Sequence, residues 1–139
     1  MNQGCDGVLV SGTTGESPTT HTAEKVDLVR AVKEAVGDRA KVMAGAGSNH
    51  TDHAIRIAQA SAEAGADSLL VVSPYYNRPS QDGVAAHIEA IASSTDLPVM
   101  VYDIPGRTGV AIGPECSERI ARHPNVLAVK DATGNPLAG

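Results

Sequence analysis

The residues with chemistry to offer stand at the ends of apolar runs. In "VLAVKDATG" (residues 126–134) a single lysine, Lys130, closes a run of small apolar side chains. One reading is that the strand ends there and Lys130 points into water. The other follows from alternation, which puts Val126, Ala128 and Lys130 on one face and Leu127, Val129 and Asp131 on the other. If the bulkier Leu127 and Val129 pack against helices, Lys130 faces inward. Desolvation then lowers its pKa, and a neutral amine attacks a ketone to give a Schiff base. "SGTTGES" (11–17) follows another apolar run. Gly12 and Gly15 permit a tight turn whose N–H groups, with the hydroxyls of Thr13 and Thr14, can hold a carboxylate. An ordinary turn with Thr packed inward competes with that reading.

"YDIPGRTG" (102–109) joins Tyr102, a rigid Pro-Gly turn and Arg107. The phenol can relay protons, and the guanidinium offers a planar fork to a carboxylate. Taken alone, a core Tyr and a surface Arg after a turn explain the stretch more simply. "SPYYNRPSQ" (73–81) sets Tyr75 and Tyr76 on a proline-flanked loop, which marks either an interface or turn packing. His50 and His53 are one helical turn apart beside Asp52, but the remaining ligands of a metal site are not evident, and a surface role suits both. His21, His87 and His123 have no obvious partner. There is no GxSxG elbow and no P-loop.

The elements that must carry these residues alternate regularly. Strand patterns at 7–12, 41–47, 68–74, 98–106 and 126–133 are separated by helical patterns at 22–37, 51–65, 80–95 and 114–124. On the first helix Val26, Val29, Val32 and Val36 share a face and Gly37 ends it, with Thr22 a weak cap. Thr51 and Ser80 are the expected caps of the next two helices, and Pro114 opens the fourth. Strands apolar on both faces suit a parallel sheet covered by helices. Both a doubly wound sheet and a (β/α)8 barrel are built this way. The barrel is favoured because the polar residues follow strand after strand, always at the C-terminal end, which a barrel gathers onto one face.

A complete barrel needs about 250 residues and eight units, whereas this chain has 139 residues. The expected architecture is therefore α/β, a single incomplete (β/α)8 barrel over 1–139, with five strands and four intervening helices. The first strand, the last strands and the C-terminal helices would be lacking. With open sheet edges, such a piece alone is expected to be poorly stable or aggregated, and inactive.

Composition excludes several classes. The formal charge is −5 with no basic run, which argues against nucleic acid. Two isolated cysteines make no CxxC and no disulfide framework, and fit a reducing cytoplasm. No stretch approaches the roughly 20 apolar residues of a membrane span, and no signal-peptide pattern opens the chain. A soluble, cytoplasmic protein is expected. The aromatic complement is three tyrosines, with no Phe or Trp, so rings are not the main packing material.

Taken in order, "GTTGES", "GAGSN", "PYYNRPSQ", "YDIPGRTG" and "VKDATG" resemble the dihydrodipicolinate synthase family of pyruvate-dependent class I lyases, along essentially the whole chain. The resemblance implies condensation of pyruvate with aspartate-4-semialdehyde to 4-hydroxy-tetrahydrodipicolinate, for diaminopimelate and lysine synthesis. It implies Lys130 as the Schiff-base lysine, and Thr13 and Thr14 as the pair holding the pyruvate carboxylate. Tyr102 would be the relay tyrosine, with the Thr14 hydroxyl next to it. Tyr76 would reach into the neighbouring subunit's site, and Arg107 would bind the aldehyde's carboxylate. No cofactor or metal is implied, and a homo-oligomer, a dimer of dimers, is.

N-acetylneuraminate lyases and 2-keto-3-deoxy sugar-acid aldolases share the lysine, but Arg107 in "IPGR" suits a short carboxylated aldehyde. A non-catalytic barrel piece used for assembly, or a small-molecule binding module, is the alternative from another class. Lysine-inhibited family members carry histidines at the positions of Thr22 and Lys25 and a glutamate at that of His53. The residues here imply weak or absent lysine feedback.

Overall fold

In the computed structural model, which describes residues 3–137, five parallel strands form one sheet in the order β1-β2-β3-β4-β5. They are β1 (Gly7–Val10), β2 (Lys41–Gly45), β3 (Ser68–Val72), β4 (Val99–Asp103) and β5 (Val126–Asp131). Sequential order without a reversal is barrel order, since a doubly wound sheet turns back at a switch point. The connections carry α1 (Thr22–Val36), α2 (Thr51–Glu63), α3 (Gln81–Ser93), the one-turn α4 (Pro105–Thr108) and α5 (Pro114–Ala121). Neighbouring helices pack side by side, α1 on α2, α2 on α3 and α3 on α5.

Alternation divides each strand between two environments. Val42, Ala44, Leu69, Val71, Val99 and Val101 point to the helices and are buried. They meet Val29, Ile57, Ile88, Ile91 and Ile120 in a single core. Small β-branched and Ala side chains fill this layer, as an aromatic-poor sequence requires. On α1 the stripe is Val29 and Val36, with Val26 and Val32 half-buried. It also includes Lys25, one turn before Val29.

The expected boundaries hold with three corrections. The cap of α1 is His21, not Thr22, and its backbone N–H donates to Glu24 Oε2 at 2.7 Å. The cap of α2 is His50, whose Nδ1 accepts the His53 N–H at 3.1 Å, so that Thr51 becomes the first helical residue. The strand expected over 98–106 ends at Asp103, and its Pro-Gly turn is a helical turn, α4, because Pro at the first position presets its φ. Ser80 caps α3 through the Gly83 N–H, and Gly37 ends α1 at φ 55°, as the sequence suggests.

One larger expectation fails. Leu127 and Val129 do not pack on outer helices: they are 68% and 60% exposed. Among the described residues no helix follows β5 to cover that face, and β5 pairs with β4 alone.

Candidate active site

The C-terminal ends of the strands open onto a cavity of about 540 Å³. Thr13 and Ser11 after β1, Gly45 at the end of β2 and Asn49 beyond it, Tyr75 after β3, Tyr102 on β4 and Arg107 on α4 line it. Parallel register brings these ends level. Tyr102 pairs with Lys130 across β4 and β5, two residues past the Met100–Ala128 pair, so both side chains emerge on the same inner face. The Lys130 Nζ lies 4.0 Å from the centroid of the Tyr102 ring, a cation–π contact. Tyr102 is buried and Lys130 exposed. The expected desolvation of Lys130 is thus not met within this chain. Its strand is the sheet edge, open to water on the side where a further strand would lie.

The turn after β1 is built by its own backbone. Gly15 and Ser17 N–H both donate to Gly12 O, at 3.0 and 3.3 Å, and Glu16 N–H donates to Thr13 O at 3.0 Å. Ser11 and Glu16 bracket it with left-handed backbone, φ 57° and 56°. Ser11 is accommodated because residue 45 is glycine, where an added Cβ would stand 2.1 Å from the Ser11 carbonyl oxygen. The Ser11 Oγ is buried without a partner. Thr13 lines the cavity, while Thr14 is exposed and lies outside its lining. Among the described residues no hydrogen bond joins Tyr102, Thr14 and Tyr76. Tyr76 is 88% exposed, with φ 71°. Arg107 sits on α4, exposed at the cavity wall, and Gly109 closes that turn at φ 79°.

Sequence reasoning named Thr22, Lys25 and His53 through the resemblance, but missed that Lys25 is buried beside the turn. Lys25 enters the lobe of the cavity there from α1, 5% exposed, and its ammonium donates to Ser17 O at 2.5 Å, to Thr20 O at 3.1 Å and to Thr20 Oγ1. Burial holds this ammonium below the ordinary lysine value, with the Glu24 carboxylate pulling the other way. His53 lines the same lobe, its Nε2 3.3 Å from Thr22 Oγ1. His50 and His53 are thus engaged in a helix cap and a hydroxyl contact, and no group of three or more metal-ligating side chains occurs among the described residues. The other histidines have partners the sequence did not suggest. His87 Nδ1 meets Thr51 Oγ1 at 2.9 Å, and His123 Nε2 meets Ser93 Oγ at 2.9 Å. No described helix is long and apolar enough to cross a membrane.

Known proteins resemble this chain along almost its whole length. The family described as "Dihydrodipicolinate synthetase family" matches residues 1–137. A 4-hydroxy-tetrahydrodipicolinate synthase of Streptomyces coelicolor is 57% identical over 135 residues, 97% of this chain and 45% of its own length. One from Mycobacterium leprae is 53% identical over 139 residues, 100% of this chain and 46% of its own. Among solved structures, the Acinetobacter baumannii dihydrodipicolinate synthase complexed with pyruvate superposes with a TM-score of 0.94 at 39% identity, covering 96% of this chain and 46% of that one. The Cyanidioschyzon merolae enzyme with lysine bound gives 0.90 at 48%, covering 94% and 45%. The chain spans a little under half the length of the curated relatives it matches.

Proposed function

The chain belongs to the dihydrodipicolinate synthetase family, and on that premise we propose that it carries the pyruvate-binding part of a 4-hydroxy-tetrahydrodipicolinate synthase. The substrates in this reading are pyruvate and L-aspartate-4-semialdehyde, and the product serves diaminopimelate and lysine synthesis. Residues beyond this chain complete the single barrel domain.

The observation that carries the proposal is the contact of Lys130 with Tyr102, whose ring lines a cavity walled also by Thr13 and Arg107. The Lys130 amine adds to the pyruvate ketone and water leaves, giving an imine. Its protonated form is an electron sink, so a methyl proton departs and an enamine forms. The enamine carbon attacks the aldehyde carbon of the second substrate. Tyr102 moves the protons. Thr14 and the Tyr76 of a second copy extend it into a relay that gives the proton somewhere to go. Thr13 and Thr14 hold the pyruvate carboxylate, and Arg107 holds that of the aldehyde. The mechanism uses no metal or organic cofactor. Exposed Tyr76 needs a partner subunit, so the working form is a homo-oligomer, with a dimer of dimers as the expected assembly. Two free cysteines, Cys5 and Cys116, suit a cytoplasmic setting.

Borohydride reduction in the presence of pyruvate, on the chain extended to its relatives' length, tests this. A pyruvate-derived adduct on the peptide containing Lys130 is expected, and Lys130→Ala removes both the adduct and turnover, a loss on the order of 10⁴-fold or more. A folded extended protein that forms no adduct overturns the proposal, and a binding or assembly role takes its place.

A further inference from the structure

We propose that Asn77 is a positioning residue for Tyr76, fixing the backbone from which that tyrosine reaches a second copy's site; the inference rests on the role given to Tyr76 above. Tyr76 is 88% exposed, so packing within its own protomer does not hold the ring. Its direction is set by its backbone, and that backbone is unusual. At φ 71° it is left-handed without being glycine, and Arg78 two residues on has φ 48°. A bulky residue leaves this region once its surroundings stop enforcing it.

Asn77 enforces it twice. Its backbone N–H donates to Tyr75 O at 2.8 Å, closing a three-residue turn with Tyr76 at the centre. A γ-turn with positive φ at its central residue is the strained, rare form. The Asn77 side chain then anchors that turn across to the loop after β2. Its Nδ2 donates to Asn49 O at 2.9 Å, and its Oδ1 faces Asn49 Nδ2 at 3.4 Å.

The opposite side of the turn is tied to α4 and the segment after it. Tyr76 N–H donates to Thr108 O at 3.2 Å, and Arg78 Nε donates to Gly109 O at 3.2 Å. The strained pair is therefore held between the β2 loop and the segment that carries Arg107. Of these ties, the Asn77 amide is a side-chain contact that substitution removes without touching the Arg107 segment.

The test is a double-mutant cycle in the extended chain, using Asn77→Ala, Tyr76→Phe and the pair. Asn77→Ala is expected to lower kcat for the condensation about tenfold, with the pyruvate KM and borohydride trapping at Lys130 unchanged. The double variant is expected to turn over no more slowly than Tyr76→Phe alone. Asn77→Asp, which keeps the size and loses the Nδ2 donor, should reproduce the loss and guards against a folding defect in the alanine variant. Sedimentation of every variant should match the parent. An Asn77→Ala penalty that is the same in the Tyr76→Phe background overturns the inference while leaving the functional reading intact. A penalty confined to KM, or dissociation of the assembly, overturns it in the same way. Absence of the Lys130 adduct in the parent, or a Tyr76→Phe variant as fast as the parent, removes the functional reading and the inference with it.

Discussion

Strands β4 and β5 lie side by side with nearly the same residue types and opposite fates. On β4 the outward residues Val99 and Val101 are 1% exposed, beneath α3 and α5. On β5 Val129, the register partner of Val101, is 60% exposed, and Leu127 is 68% exposed at a register irregularity that pairs Val126 with Val99 and so breaks the expected alternation of Val126 with Ala128 and Lys130. Sequence makes both strands, since alternation and β-branching suffice for the ladder. Burial is supplied by whatever covers the strand: Val126 at the start of β5 packs against the core, while Leu127 and Val129 further on stay largely exposed. The contrast reaches the chemistry on the inner face. Tyr102 on β4 is buried, and Lys130 opposite it on β5 is in water. The proposed nucleophile is in register and lacks its environment.

The largest effect follows directly. The 139-residue chain alone should show no turnover and a strong tendency to aggregate through its apolar, unpaired β5 edge. The chain extended to its relatives' length should show both a cooperative melt and activity. Valine truncation sharpens the comparison. In the extended protein, Val101→Ala and Val129→Ala should each cost about 2 kcal/mol by urea unfolding, because a covering helix would give Val129 the burial that Val101 already has. A sharp melt with turnover from the short chain, or a silent Val129→Ala in the extended one, would break the contrast.

The next effect, about 3 kcal/mol at most, belongs to the covered layer. His87 on α3 is buried, with Nδ1 on Thr51 Oγ1 and Nε2 without a partner. Burial pushes its pKa down to about 4 from an ordinary 6.5. The folded state thus binds fewer protons than the unfolded state in that interval. The His87 contribution is present above pH 6.5 and is lost as pH falls towards 4. Asp103, on the outer face, has its carboxyl pushed up by burial and works in the opposite sense. The quantity to measure is therefore a difference. Urea midpoints of the extended protein at pH 7.5 and 4.5 should separate less in His87→Gln than in the parent. Equal separation would mean that His87 is protonated in the fold at little cost.

How far the sequence discloses this molecule depends on the range of the signal. Regular periodicity is local, so the five strands and the stripe through Val29 and Val36 were legible, as were the Ser80 cap and Gly37 stop. Caps at His21 and His50 escaped because histidine is not among the usual capping residues, and α4 because four residues carry no period. Lys25 was named through the resemblance, and its burial could also have been found, since position 25 continues the buried stripe one turn before Val29. A lysine there reads as exposed only by its type. The site was legible as residue types at strand ends, and the register delivers Lys130 beside Tyr102. The tie between Asn77 and Asn49 spans 28 positions, and no local pattern announces it.

The smallest effect expected is a response to lysine, and it compares two lobes of one cavity. Beside Thr13 and Tyr102 the cavity holds no buried ammonium, while beside Ser17 and Thr20 the Lys25 ammonium already occupies the carbonyl oxygens. A cationic amino acid entering that lobe meets a like charge and finds two backbone acceptors taken. It also finds His53, not a carboxylate, on the wall. We therefore expect titration of the extended protein with lysine to give a Kd weaker than about 1 mM and no loss of turnover below it. Lys25→His removes the permanent cation and frees Ser17 O and Thr20 O, so affinity for lysine should rise in that variant. Tight binding to the parent would show that the lobe opens by moving Lys25 aside, and Lys25 would then be a displaceable plug instead of a fixed part of the turn that carries Thr13.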